Sequence, residues 1–479
     1  MPRQRDLQKP STRPKWYGEC SPVPRKASVK IALFGPYGFG NMGDAALVEA
    51  AMQGLRRHLP EVEFRGICRH PPNVEARHGI PAWPIFRNYP VAAREGPPSS
   101  NGSLGGRRPV PPRGFAARLR RWIKSVPVLH SYVLFPLAEI VRETRFMVRS
   151  YRLLRTLDAV VMPGSGQLHE EWGGPFSYPL ALCKWAILAR AAGCRLVFLS
   201  VGSGTLRSRP GRLFGRIALS LAHYSSFRDV KTQALAATLG VVNGAVVPDL
   251  AFGLSWDRRR RTIPDQAPRG NGIVGINPIA YCDPRGWHRK DERVYRNYVE
   301  KMAAMGQWLL AEGYRLLFIS NELRTDRLVI EDIVKLLQFQ GVASTNVLQP
   351  ATANLQDVLA HIGSCDFVLA CRFHGVLFSF LQAKPVITIA FHYKLALLAE
   401  EMGQGRYCVD IERFSVEALQ GLFQCLSNER LEAIKRTEAA LRDYPAMLER
   451  QYRTAAQVIS RSSRGPRSGR PRQTTPGAS

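Results

Sequence analysis

The chain predicts an α/β fold with two Rossmann-like domains facing a cleft and a basic helical insertion in the first domain. Three observations predict it. Strand-sized apolar runs alternate with helical periodicity over residues 29–256 and again over 271–460. The strand runs are apolar along their whole length, as in parallel sheets covered on both faces. A basic, proline-containing segment, 257–270, separates the two series and reads as a linker.

In the first series, residues 29–34 form a strand, followed by a glycine-rich loop over 35–43. A helix follows from about Asp44 to His58, with Ala46, Leu47, Ala50, Ala51 and Leu55 on one face. Residues 61–68 suit a second strand. The alternation is then interrupted over about 71–157, first by turn-rich sequence and then by helical sequence broken at Pro127 and Pro136. It resumes with a strand at 159–162, a loop at 163–166, a helix near 180–192 and a strand at 196–201. The second series places strands at 273–276, 316–320, 367–371 and 386–390. Its helices lie near 292–312, 326–339, 355–362 and 376–382. Helical sequence over 416–459 is long enough to pack back across a neighbour. Residues 1–28 and 461–479 read as disordered basic tails.

With 45% hydrophobic residues, the chain is neither disordered throughout nor fibrous. No apolar run approaches the roughly 18 residues of a membrane-spanning helix, and residues 1–28 lack the apolar core of a secretory signal. Nine cysteines form no C-x-x-C pair, which argues against a zinc site or a disulfide framework. A cytoplasmic protein without metal or cofactor is expected. Of the net charge of +29, the segments 1–28, 107–124 and 461–479 carry +5, +7 and +5. Solvated disorder, an acidic substrate and an anionic membrane surface are the competing readings. Nucleic acid is disfavoured, because no zinc-finger spacing, RNP motif or leucine heptad accompanies the charge. Arg118, Arg120, Arg121 and Lys124 flank Leu119, Trp122 and Ile123 ahead of the apolar run 126–137. That pattern suits peripheral attachment at the inner face of an anionic bilayer. It equally suits a helical hairpin packed on the first domain.

Several loops carry chemistry. Gly38-Phe39-Gly40-Asn41-Met42-Gly43 matches G-x-G-x-x-G between a strand and a helix. A dinucleotide reading is weakened by Asp44, whose charge opposes a pyrophosphate at the helix N-terminus. The second strand also ends at Cys68-Arg69, without a carboxylate for a ribose. A tight turn with Asp44 as helix cap, or a cleft-lining loop, remain. The loop Gly164-Ser165-Gly166-Gln167-Leu168-His169-Glu170-Glu171 offers groups for sugar hydroxyls or proton transfer. Neither it nor Gly202-Ser203-Gly204 matches the hydrolase motif G-x-S-x-G. Arg228-Asp229 follows an apolar run. Arg372-Phe373-His374-Gly375 lies between a buried strand and a helix, where guanidinium, imidazole and helix amides together make an anion site. A purely structural Arg-His contact fits the same spacing.

The segment Gly35 to Asp44 resembles the N-terminal "GfgNxGD" signature of polysaccharide pyruvyl transferases. The resemblance continues through Gly164-Ser165-Gly166, Leu199 to Gly204, Phe227-Arg228-Asp229, Val247-Pro248-Asp249, Arg372-Phe373-His374 and the segment from Pro385 to Gly403, which includes Lys394 and Glu400. It covers roughly residues 29–412. The family implies a GT-B-like fold and transfer of a pyruvyl group from phosphoenolpyruvate to two hydroxyls of a sugar, forming a ketal. The acceptor would belong to a cell-surface polysaccharide or its lipid-linked precursor. By motif, Arg228, Arg372 and His374 bind the donor, and His374 is the candidate acid. Gly40, Asn41, Gly43, Asp44, Gly164, Ser165, Gly166, His169 and Glu170 are assigned to the acceptor or cleft loops. The chain departs from the pattern at Ser165, where an all-glycine run is common, and at His392, where a small polar or acidic residue is common. A GT-B-type nucleotide-sugar glycosyltransferase and a non-catalytic sugar-binding relative are the alternatives.

Overall fold

The computed structural model describes residues 28–88, 135–171, 173–262, 270–287, 289–339 and 344–461. The readings of the tails, of residues 118–124 and of linker residues 263–269 fall outside them.

The first sheet holds β1 (Val29–Phe34), β2 (Val62–Cys68), β3 (Ala82–Pro84), β4 (Ala159–Pro163), β5 (Arg195–Val201), β6 (Tyr224–Phe227) and β7 (Ala245–Val246). Their order is β3-β2-β1-β4-β5-β6-β7, with every pairing parallel. The helices are α1 (Met42–His58), α2 (Pro71–His78), α3 (Phe135–Leu154), α4 (Tyr178–Ala191), α5 (Arg209–Ser220) and α6 (Val230–Thr238). The second sheet holds β8 (Ile273–Asn277), β9 (Arg315–Phe318), β10 (Val347–Leu348), β11 (Phe367–Ala370), β12 (Val386–Ala390) and β13 (Cys408–Asp410). Its order is β10-β9-β8-β11-β12-β13, again all parallel. Its helices are α7 (Glu292–Ala311), α8 (Asp326–Phe339), α9 (Leu355–Gly363), α10 (Phe373–Leu381), α11 (Tyr393–Glu401), α12 (Val416–Asn428), α13 (Arg430–Leu441) and α14 (Tyr444–Ser460). Two parallel-sheet Rossmann-like domains are therefore present, as the alternation predicts. None of the described helices is long and apolar enough to cross a membrane.

The interruption expected over 71–157 is narrower than its sequence suggests. Residues 71–84 form α2 and the edge strand β3, because Val74 and Ile80 bury against the sheet and Ile85 closes its edge. At the other end, α3 docks on α4 through an ion pair of Glu143 with Lys184 at 2.5 Å, and Leu154 and Leu157 are fully buried. Both ends of the segment thus belong to the first domain.

The helical sequence at 416–459 folds as three helices, and Pro445 suits the first turn of α14, where its missing N–H costs nothing. Helix α14 does pack back across a neighbour. Its Tyr452 hydroxyl donates to the Ala50 carbonyl at 3.1 Å, and Gln451 accepts from Ser200 at 3.0 Å and from Ser226. Gly54 of α1 makes room, since a Cβ there would lie 2.3 Å from the Tyr452 ring. The first core accordingly runs on from α1 through α9, α10 and α14 without a break between domains.

A second join closes one side of the cleft. Met42 N donates to Asn321 O at 2.8 Å, and Asn41 pairs with Glu322 in an antiparallel bridge.

Candidate active site

Strand order reverses once in each sheet, between β1 and β4 in the first and between β8 and β11 in the second. At such a point the loops leaving the strands' carboxyl ends diverge and open a crevice. The two crevices meet in one cleft of about 770 Å³, lined from both domains.

On the first-domain wall, Gly38 and Gly40 adopt left-handed φ values of 109° and 78°, which turn the chain sharply out of β1. Asn41, not Asp44, caps α1, accepting from Gly43 N at 2.9 Å. Asp44 sits one turn further in and its side chain lines the cleft. Burial pushes its carboxyl up to about 7, against the opposing effects of a Ser165 hydrogen bond and the nearby Arg69 charge. Gly43 is the last glycine of the G-x-G-x-x-G run, and a Cβ there would lie 1.9 Å from His374 Nδ1. The glycine therefore admits an imidazole from the other domain, which gives the motif a use unrelated to dinucleotides. Gly40 lies at the interdomain bridge, and its carbonyl accepts from Leu323 N at 3.4 Å.

After β4, Gly164 and Ser165 both have left-handed φ, 56° and 59°. A Cβ on Gly164 would meet Leu47 at 2.7 Å, so this glycine serves packing. A left-handed serine is strained by about 1 kcal/mol or more, which explains physically why glycine suits that position. Ser165, Gly166 and His169 line the cleft. His169 stacks on Tyr178 with ring centroids 5.4 Å apart, and burial lowers its pKa to about 4. Glu170 does not line the cleft. Its carboxylate accepts from the Arg207 and Ser208 backbone at 2.8 and 3.0 Å and so anchors the start of α5. The adjacent Glu171 faces the cleft instead, held by Thr205 N at 3.0 Å.

Arg228 lines the cleft. It donates to Asp249 at 3.1 Å, lies 3.8 Å from Asp229, and stacks 4.6 Å above the Phe373 ring. Asp229 caps α6 through Thr232 N at 2.7 Å. From the second domain, α10 begins three residues earlier than its periodicity suggests, placing Arg372 at its cap and His374 in its first turn. Arg372 is not among the residues that line the cleft, and its guanidinium is engaged. Its Nε donates to Asp326 at 2.9 Å and its Nη2 to Thr325 at 3.0 Å and to Asp326. His374 faces the cleft beside Gly43, and among the described residues its buried Nε2 has no hydrogen-bond partner. Burial lowers its pKa to about 4, Arg228 adding to the effect and Asp249 opposing it, so the ring is neutral at pH 7. His392 caps α11, its Nδ1 accepting from Lys394 N at 3.3 Å, which is the work a small polar or acidic residue does at such a position.

Sequence reasoning missed Arg69, Asp283, Arg285, Thr325 and a site role for Lys394, all of which line the cleft. Each follows the carboxyl end of a strand, so position in the α/β alternation was the available signal.

A profile of the family described as polysaccharide pyruvyl transferase matches residues 41–393. Among solved structures, UDP-GlcNAc 2-epimerase from Neisseria meningitidis bound to UDP-GlcNAc aligns with a TM-score of 0.54 at 11% identity, over 90% of this chain and 99% of that one. Another UDP-N-acetylglucosamine 2-epimerase gives 0.50 at 11% identity, over 89% and 93%. At such identity the likeness is one of fold, and it is GT-B-like. No curated protein matches the sequence. The family profile runs from the cap of α1 to the start of α11 and so takes in every cleft loop from Asn41 to Tyr393. The chain belongs to the polysaccharide pyruvyl transferase family.

Proposed function

We propose that the protein transfers the pyruvyl group of phosphoenolpyruvate to two hydroxyls of a saccharide acceptor, forming a cyclic ketal. The observation that carries this reading is the presence, in one cleft between the two switch points, of Arg228 and of a His374 Nε2 with no hydrogen-bond partner among the described residues. Phosphoenolpyruvate brings a carboxylate and a phosphate on a small frame, which suits a guanidinium beside helix N-termini. A dianion next to His374 favours the imidazolium over the neutral ring.

The imidazolium delivers a proton to the donor's methylene carbon, leaving an oxocarbenium-like C2. The first sugar hydroxyl adds to C2 and gives up its proton. The C2–O bond to phosphate then breaks, and the second hydroxyl closes the ketal. Of the two hydroxyl protons, one balances the new methyl group and the other leaves on phosphate. Asp44, titrating near 7, is suited to take the proton of the attacking hydroxyl. Ser165, His169 and Glu171 lie on the same wall for acceptor hydroxyls.

Incubation with phosphoenolpyruvate and candidate saccharides should release phosphate and yield acceptor heavier by one pyruvyl ketal, read by mass spectrometry. Tight UDP binding without any phosphoenolpyruvate binding would instead favour a nucleotide-sugar transferase. Arg228→Ala should weaken phosphoenolpyruvate binding by about 1.5 to 3 kcal/mol, the scale of a charge-assisted hydrogen bond. Unchanged affinity in a folded variant, measured by titration calorimetry, would remove Arg228 from the donor site.

A further inference from the structure

We propose that the outward face of α3 is a docking surface for an anionic lipid bilayer. The surface lies outside the cleft, so it stands or falls apart from the donor reading above. It is also distinct from residues 118–124, whose sequence pattern suggests a membrane contact of its own.

The two sides of α3 divide its charges by sign. Its two acids turn inward, where Glu139 pairs with Arg87, and Glu143 pairs with Lys184 at 2.5 Å. On the same side Ser150 accepts from Trp83 Nε1 at 3.3 Å, Phe146 meets Trp185 edge-on at 6.3 Å, and Leu154 is fully buried. The opposite side carries Val141, Arg145, Val148 and Arg152, whose spacing of four, three and four residues sets them in one stripe along the helix. Ile140 and Arg149 flank that stripe. Ile140, Val141 and Val148 are 62%, 41% and 43% exposed, and the three arginines are exposed with them. Arg142 is tied to Glu139 at 2.6 Å. Among the described residues, Arg145, Arg149 and Arg152 form no ion pair.

Exposed aliphatic groups interleaved with unpaired guanidinium groups match an interface that is anionic at headgroup depth and apolar just below. The aliphatic side chains reach the acyl boundary while the longer arginines stay with the phosphates. A nucleic-acid backbone would meet the arginines and leave the aliphatic groups unmatched. Because α3 is too polar to cross a bilayer, it would lie in the interface plane. Its position also suits the cleft. The helix leads into β4 and so runs antiparallel to the strands, which sets its first half at the carboxyl edge of the sheet. Arg87, three residues past β3, holds Glu139 at that edge. The cleft loops leave the same edge, so a saccharide held at the bilayer would approach from the side on which the cleft opens.

Co-sedimentation of the full chain with vesicles tests the surface, comparing phosphatidylcholine alone with a mixture of phosphatidylcholine and phosphatidylglycerol. Wild type should bind the anionic vesicles and leave the neutral ones. The triple variant Arg145→Gln, Arg149→Gln, Arg152→Gln should bind anionic vesicles roughly 100-fold more weakly, at about fivefold per cation. The double variant Val141→Ser, Val148→Ser should lose several-fold. Both should keep the wild-type melting temperature, because the replaced side chains are exposed. Wild-type vesicle binding by the arginine variant overturns the proposal, and so does a wild type that binds neither vesicle or both alike. Binding to a short DNA duplex instead of vesicles, lost in the arginine variant and kept in the serine variant, gives the face to nucleic acid and overturns the bilayer. A wild-type dimer that either variant converts to monomer in sedimentation velocity gives the face to a second copy of the chain, with the same consequence.

Discussion

Arg372→Ala is expected to lower folding stability by about 3 to 5 kcal/mol, the usual result of removing one partner of a buried ion pair. Asp326 is 0% exposed, and with Arg372 gone its carboxylate keeps, among the described residues, the Asn321 and Glu322 backbone N–H groups at 2.9 and 2.8 Å. Burial already raises the Asp326 pKa, so loss of the guanidinium raises it further. The cost is felt at the site as well as in the fold. The Asp326 loop contributes Glu322 and Thr325 to the cleft, and Arg372 begins the helix that carries Phe373 and His374. Adding Asp326→Asn to Arg372→Ala should recover part of the stability, because a carboxamide needs no counter-charge. Urea unfolding of the two variants is the measurement. A single variant as stable as wild type, with only donor affinity lost, would show that Arg372 serves the donor directly and that Asp326 does not depend on it.

His374→Gln should reduce turnover by roughly 100-fold or more, the scale of losing a general acid. The ring is neutral at pH 7, so a proton becomes available on it only when an anion sits beside it. An acid that must be protonated in the complex gives a kcat that falls as pH rises through its bound-state pKa. That alkaline limb should flatten in His374→Gln. Stability should change little, because the Nε2 that is removed bonds to no group among the described residues. Equal turnover of variant and wild type across the pH range would take His374 out of the mechanism.

Much of the architecture was legible because parallel strands and their helices write local patterns. The apolar runs at β1, β4, β5, β8, β11 and β12 announce themselves, and so do the loops that follow them. The edge strands β3, β7, β10 and β13 span only two or three residues each, too few for any period to register. The start of α10 was misplaced for a related reason. Phe373 and His374 sit in a helix whose first turn continues the apolar pattern of β11.

The sequence by itself determined the two-domain α/β class and the loops that meet at the cleft, because both depend on residues close together along the chain. Tertiary structure alone decided which members of those loops face one another. It set the His374 ring against Gly43, turned Glu170 toward α5 and Glu171 toward the cleft, and joined Arg372 to Asp326. It also brought Lys394 beside Arg228. These pairings join residues from different loops and, in two cases, from different domains. They exist only once two independently patterned sheets have docked through α1, α10 and α14, and docking buries charges whose partners no local spacing records.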